Sequence, residues 1–323
     1  MQPAPPAAGD VLTDPAAAHP EVHQLRAALR TRDWTAVRAV TDTAEPALRT
    51  GLIRLGGGEL GPLAGGEDFL RYVLARDPDD ATAAAMLGNH LIDVGWAIRS
   101  GARASHVSRS QFEQFHEWLI KAEQVLIDGC ARNPRDPALW VPRIITVRAL
   151  NLGVSEGRRR YDRLSAVAPH HLAGQTQLLQ ELCPKWHGSW EQAHAFAREC
   201  LETAPPGALN GVVVAEYHVE RWLDLPDGED RAYLLGQGVR AELHEAAHRS
   251  VWHPAFRRTY GWVGAMSTFA MLFSVIGDEP AAASLLSALG PLATEHPWDY
   301  LGGEPAEQIR AARGRAFAMG RAR

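Results

Sequence analysis

A chain of 323 residues, 46% apolar and 22% charged, is long enough to close a continuous core as one large domain or two small ones. A formal charge of −5 argues against the basic faces that nucleic acids require. Three cysteines, Cys130, Cys183 and Cys200, without Cys-x-x-Cys spacing give neither a disulfide framework nor a zinc ribbon, and fit a cytoplasmic, reducing setting.

Residues 1–18 are rich in Pro and Ala, lack the basic and apolar regions of a secretory signal, and read as a disordered tail. A single helical domain is expected over 19–316. His19 to Arg32 is the first helix, with Val22, Leu25, Ala28 and Leu29 on one stripe. Asp33 can cap a second from Trp34, and a third runs from about Pro46 to Leu55. The glycines between 56 and 66 then suggest a flexible connection; no strand precedes them and no Gly-Lys-Ser/Thr ending follows, so a phosphate loop is not indicated.

Helices are expected again at Glu67–Arg76, Ala81–Ser100 and Ser108–Arg132, the last with Phe112, Phe115, Leu119, Ala122, Leu126 and Cys130 at three- and four-residue spacing. Asp136-Pro137 is a helix start, with Asp as cap and Pro in the first turn. Ser155–Val167, His170–Leu182 and Ser189–Thr203 follow, the last opening on the capping-box pattern Ser-Trp-Glu-Gln. Leu209–Leu223, Ala232–Trp252, Pro254–Ile276 and Pro280–Leu292 complete the array, and residues 317–323 read as a frayed end. Thr259 to Gly277 carries no charge, but its Gly, Ser and Thr content fits a buried helix rather than a membrane span. No segment alternates with period two, so no significant sheet is expected.

Several of these segments close alike: Arg-Asp-Pro at Pro78, Arg-Asn-Pro at Pro134, Val-Ala-Pro at Pro169 and Thr-Ala-Pro at Pro205. The last three prolines lie 35 and 36 residues apart, the length of a helix, a turn and a second helix. Units of that size bury their apolar faces only by stacking, which predicts an all-α fold, an α-solenoid of antiparallel helix hairpins.

The repeat endings resemble tetratricopeptide repeats. Three further pieces, Gly95-Trp96-Ala97-Ile98-Arg99-Ser100-Gly101, Pro184-Lys185-Trp186-His187-Gly188-Ser189 and Thr294-Glu295-His296-Pro297-Trp298, resemble a group of uncharacterised bacterial tetratricopeptide-like proteins, a domain of unknown function. The resemblance spans most of the chain and implies an all-helical fold, with no reaction attached. On the physics of the residues alone, Pro184 ends a helix, Gly188 permits a tight turn, Ser189 caps the next helix, and Trp186 is either a plate closing the hairpin or one wall of an aromatic groove.

Two constellations carry functional expectations. Trp96, Arg99, Arg103, Trp186 and Trp190 are surplus to the core stripes and are candidates to line a groove for a protein or peptide partner. His244-Glu245-Ala246-Ala247-His248 matches His-Glu-x-x-His. On a helix its imidazoles share a face and could hold Zn or Fe, with Glu245 as general base, as in a metal-dependent hydrolase or a peptide-modifying oxygenase. Glu279 or His253 would have to supply a third ligand, and the elongated zincin pattern fails at Val251. The expectation is therefore a binding scaffold with no cofactor, possible as an oligomer, and the metal enzyme is the alternative. Arg158-Arg159-Arg160 with Arg163 reads as a solvated face, and no Gly-x-Ser-x-Gly elbow supports serine catalysis.

Overall fold

The computed structural model describes residues 10–61, 65–99 and 107–321. Among them sixteen α-helices and three short 3-10 turns form, and there is no strand. The chain divides into two compact units, one of residues 20–189 and the other of 10–19 with 190–321. No break in composition marks the boundary at Ser189.

The first unit (20–189) holds α1 (Glu21–Thr31), α2 (Trp34–Thr43), α3 (Pro46–Glu59), α4 (Gly66–Arg76), α5 (Ala81–Arg99), α6 (Arg109–Arg132), α7 (Pro137–Ala149), α8 (Val154–Val167) and α9 (Leu172–Leu182). Its helix starts obey local chemistry. The Asp33 carboxylate accepts from the Ala36 amide at 3.0 Å, and Ser108 and Gln111 close a capping box. Neighbours in sequence pack together, and α3, α5, α7 and α9 also pack in succession. Buried α5 and α7 form the centre, with Ala83, Met86, Leu91, Leu139 and Ile144 shielded from solvent.

Gly56 to Gly58 are not a connection: they continue α3. A Cβ on Gly57 would stand 2.8 Å from the Asn89 Cβ and 2.9 Å from the His90 backbone nitrogen, so these glycines let α3 lie directly against α5. The need for close approach outweighs the poor helix propensity of glycine. Residues 62–64 of the expected connection lie outside the described residues.

The second unit holds α10 (Trp190–Thr203), α11 (Val212–Asp224), α12 (Glu229–Leu234), α13 (Gln237–Arg249), α14 (Trp262–Val275), α15 (Glu279–Leu289) and α16 (Pro305–Arg321). The long helix expected over Ala232–Trp252 is broken between α12 and α13 at Leu235-Gly236. The one expected over Pro254–Ile276 starts only at Trp262, because Gly261 sits at φ 91° and the preceding residues turn. α14 is buried against α11 and α15, which explains its uncharged sequence, and no described helix is long and apolar enough to cross a membrane. α16, which the periodicity did not indicate, packs on α15 and runs to Arg321, into the stretch expected to fray.

Residues 10–18 are ordered rather than a disordered tail. Leu12 forms an isolated parallel bridge with Leu292, and Pro15–Ala17 make a 3-10 turn with Ala16 buried. Main-chain pairing at a single residue leaves no periodic signature in sequence. Residues 1–9, 322 and 323 lie outside the described residues.

Candidate functional site

Three of the five groove candidates meet in the first unit. Trp96 and Arg99 occupy the last turn of α5, and Trp186 sits in the turn that follows α9. That turn is tight: the Trp186 and Gly188 amides both donate to the Cys183 carbonyl, at 3.0 and 3.4 Å, and a Cβ on Gly188 would collide with the Leu182 carbonyl. It presents Trp186 edge-on to Trp96, with ring centroids 6.0 Å apart and planes at 85°. Phe115 of α6 packs on Trp96 at 4.9 Å. The Arg99 guanidinium lies 5.2 Å from the Trp96 ring and 5.8 Å from that of Phe112. Burial lowers the Arg99 pKa from its ordinary value. Trp96, Arg99, Phe112 and Trp186 are all half-buried, and the Trp186 indole nitrogen finds no acceptor among the described residues. At the end of α9, the Glu181 side chain is fully buried, accepts from His187 Nδ1 at 3.3 Å, and has its carboxyl pushed upward by burial.

The other two candidates are not part of this cluster. Trp190 opens α10 in the second unit, donates to Asp224 at 3.3 Å and has the Arg221 guanidinium 5.0 Å from its ring. Arg103 lies outside the described residues.

His244 and His248 do share one face of α13, with ring centroids 6.3 Å apart. Their partners differ from those of a zinc helix. His244 Nε2 is 2.8 Å from Asp278 Oδ2, the residue that caps α15. Glu245 points elsewhere and is ion-paired with Arg198 of α10 at 2.6 Å, which lowers its pKa and makes it a poorer base. His253 accepts from the Ala255 amide, and Glu279 lies 3.6 Å from Arg315. Among the described residues no three His, Cys, Asp or Glu side chains form a group that could hold a metal ion. In this arrangement His244 is engaged with Asp278 and Glu245 with Arg198.

The basic run on α8 is spent internally. Arg158 pairs with Asp162 and Arg159 with Glu156, while Arg160, 3% exposed, reaches both Glu123 and Glu156. Hydrogen bonds from Arg159 and Arg160 hold the Glu156 carboxyl down at about 2.

Sequence reasoning missed a network in the second unit. Glu242 of α13 lies 2.9 Å from His194 Nε2 of α10 and 3.0 Å from His218 Nε2 of α11. The other His218 nitrogen is 2.7 Å from the Tyr233 hydroxyl of α12. Burial holds His218 below the ordinary imidazole range, and hydrogen bonds from His218 and His194 hold Glu242 down at about 2. With the Glu242 carboxylate on one ring nitrogen and the Tyr233 hydroxyl on the other, both nitrogens of His218 are engaged. Each member comes from a different helix, so no local spacing announces it.

No family model matches the chain, and no curated protein is significantly similar to it. Of the resemblance drawn from the repeat endings, the all-helical fold is what the structure bears out.

Proposed function

We propose that this protein is a cytoplasmic, tetratricopeptide-like scaffold. Its hairpins stack as an α-solenoid, and the Trp96–Arg99–Trp186 surface binds an extended or helical segment of a partner protein. The packing of α3, α5, α7 and α9 in succession, with the intervening helices beside them, supports the stacked arrangement. The observation that carries the binding reading is the meeting of Trp96 and Trp186, distant in sequence, as a half-buried aromatic corner backed by Arg99. Large rigid aromatics and arginine on a partly desolvated surface are the residue types that dominate protein recognition. The three buried cysteines form no disulfide with one another, which fits a reducing compartment.

A peptide array probed with the purified full-length chain tests this. Peptides retained by the wild type should lose at least tenfold in affinity with Trp186→Ala, as expected for removing an aromatic anchor worth about 1.5–3 kcal/mol. Circular dichroism should show the helical content unchanged. An array with no binders, or binders indifferent to both Trp186→Ala and Trp96→Ala, would sink the reading.

A further inference from the structure

Residues 10–19 form a fixed wall on the second unit. The Leu12 amide donates to the Pro291 carbonyl at 2.9 Å, and the Ala293 amide donates to the Leu12 carbonyl at 3.0 Å. Arg313 donates to the Asp10 carbonyl at 3.4 Å, and the Thr13 hydroxyl donates to Glu295 at 3.5 Å. At the far end the His19 ring packs on Tyr260, with centroids 5.0 Å apart. Contacts from Asp10 to His19 hold the segment down, so the space it encloses against the start of α14 is pre-formed. That space is a cavity of about 170 Å³ with largely apolar walls, made by Leu12, Pro15, Ala18, Tyr260, Val263 and Leu292.

One further wall residue, Gly264, is not explained by packing. It lies in the first turn of α14 and is half-buried. At Gly88, Gly95 and Gly129 a Cβ would run into Leu126, Leu119 and Leu139, so close helix contacts require glycine there. Gly261 is required by its φ of 91°. Gly238 and Gly314 have room for a side chain, but on exposed faces. At Gly264 a Cβ would meet only Thr294 Cγ2, at 3.9 Å, an ordinary contact with another residue of the cavity wall. Alanine is the better helix former. What glycine does at this position is leave the cavity unfilled.

We propose that this cavity binds a small, uncharged molecule built on a single aromatic ring, and that Gly264 keeps it open. The volume sets the size: an apolar cavity of about 150 Å³ admits benzene, whereas drug-sized ligands need about 300 Å³ or more. The walls set the polarity. Apolar surroundings make any charge costly, and Asp14, which also lines the cavity, adds repulsion against an anion. The tilted rings of His19 and Tyr260 offer aromatic contacts. Leu12 is 42% exposed, so the wall reaches solvent where a ligand can enter. The site lies in the second unit and is independent of the Trp96 surface.

The test uses the full-length chain, followed by NMR, with benzene, phenol, benzoate and benzylamine as probes. Benzene should bind the wild type saturably, with a dissociation constant of about 1 mM or tighter, and shift the signals of Leu12, Val263 and Leu292. Phenol should bind comparably, and benzoate and benzylamine at least tenfold more weakly. Gly264→Ala should raise the thermal midpoint of the unliganded protein and weaken benzene binding. Gly264→Val, with its fold checked by circular dichroism, should weaken binding at least tenfold. A wild type without saturable binding, shifts confined to other parts of the chain, or binding unchanged by Gly264→Ala and Gly264→Val would each overturn the site. A lowered midpoint in Gly264→Ala would overturn the role given to Gly264. Benzoate or benzylamine binding as tightly as benzene would overturn the uncharged class.

Discussion

Glu123 shows how single side chains join helices in the first unit. It is 8% exposed, receives Arg143 and Arg160 at 2.9 Å each, and accepts from the Thr146 hydroxyl at 2.6 Å, so one carboxylate ties α6 to α7 and α8. Removing it leaves the buried Arg143 guanidinium without its carboxylate, while Arg160 keeps Glu156, and Glu123→Ala should cost about 3–5 kcal/mol in chemical denaturation. In the second unit, protonation should be visible instead. A neutral buried His218 stabilises the fold fully above its ordinary pKa of 6.5, because below that pH the unfolded chain binds a proton that the folded one resists. Glu242 and Glu156 add a second loss as pH falls from 4.5 through about 2. His296 works in the opposite sense. Burial pulls its pKa down, but the Glu216 hydrogen bond together with the charges of Glu216, Asp299 and Glu220 more than offsets this, so its contribution is full below 6.5 and fades above. Between pH 7 and 5 the His218 contribution falls while that of His296 rises, and the urea midpoint of His218→Gln should fall less, or rise more, over that range than the wild type's. Parallel profiles would show that His218 is not the group responsible.

Among the elements, α3 separates what the sequence states from what only packing decides. Caps are local chemistry, so Asp33, Ser108 and Asp136 marked their helices in advance. Gly56-Gly57-Gly58 looked like a break because glycine is a poor helix former, and its reason for being there, the face of α5, lies some thirty residues away in the chain. The same distance problem hid the His218–Glu242 network and the seat of residues 10–19. Trp96, Arg99 and Trp186 were legible as surplus to the core stripes, although nothing local said that they meet, and Trp190 shared their character without their place. The glycines themselves can be told apart by experiment. Gly57→Ala should destabilise by about 1–3 kcal/mol through overpacking on Asn89 and His90. Gly58→Ala, exposed and with its nearest neighbour Asp93 Oδ2 at 3.5 Å, should stabilise by about 0.5–1 kcal/mol through helix propensity. Thermal melts of the two variants should move in opposite directions.

At the scale of the whole molecule, the second unit is discontinuous in sequence: residues 10–19 belong to it, the first unit intervenes, and the rest follows from Trp190. The bridge between Leu12 and Leu292 joins one of the earliest described stretches to one of the latest. On a ribosome adding about 5–20 residues per second, residues 10–19 emerge tens of seconds before the Pro291–Ala293 backbone that receives them exists. The first unit has all its helices synthesised within that interval, whereas the second must await its closing piece. The segment thus spends its youth as an unattached arm, and its clasp at Pro291–Ala293 can close only after translation has passed that point.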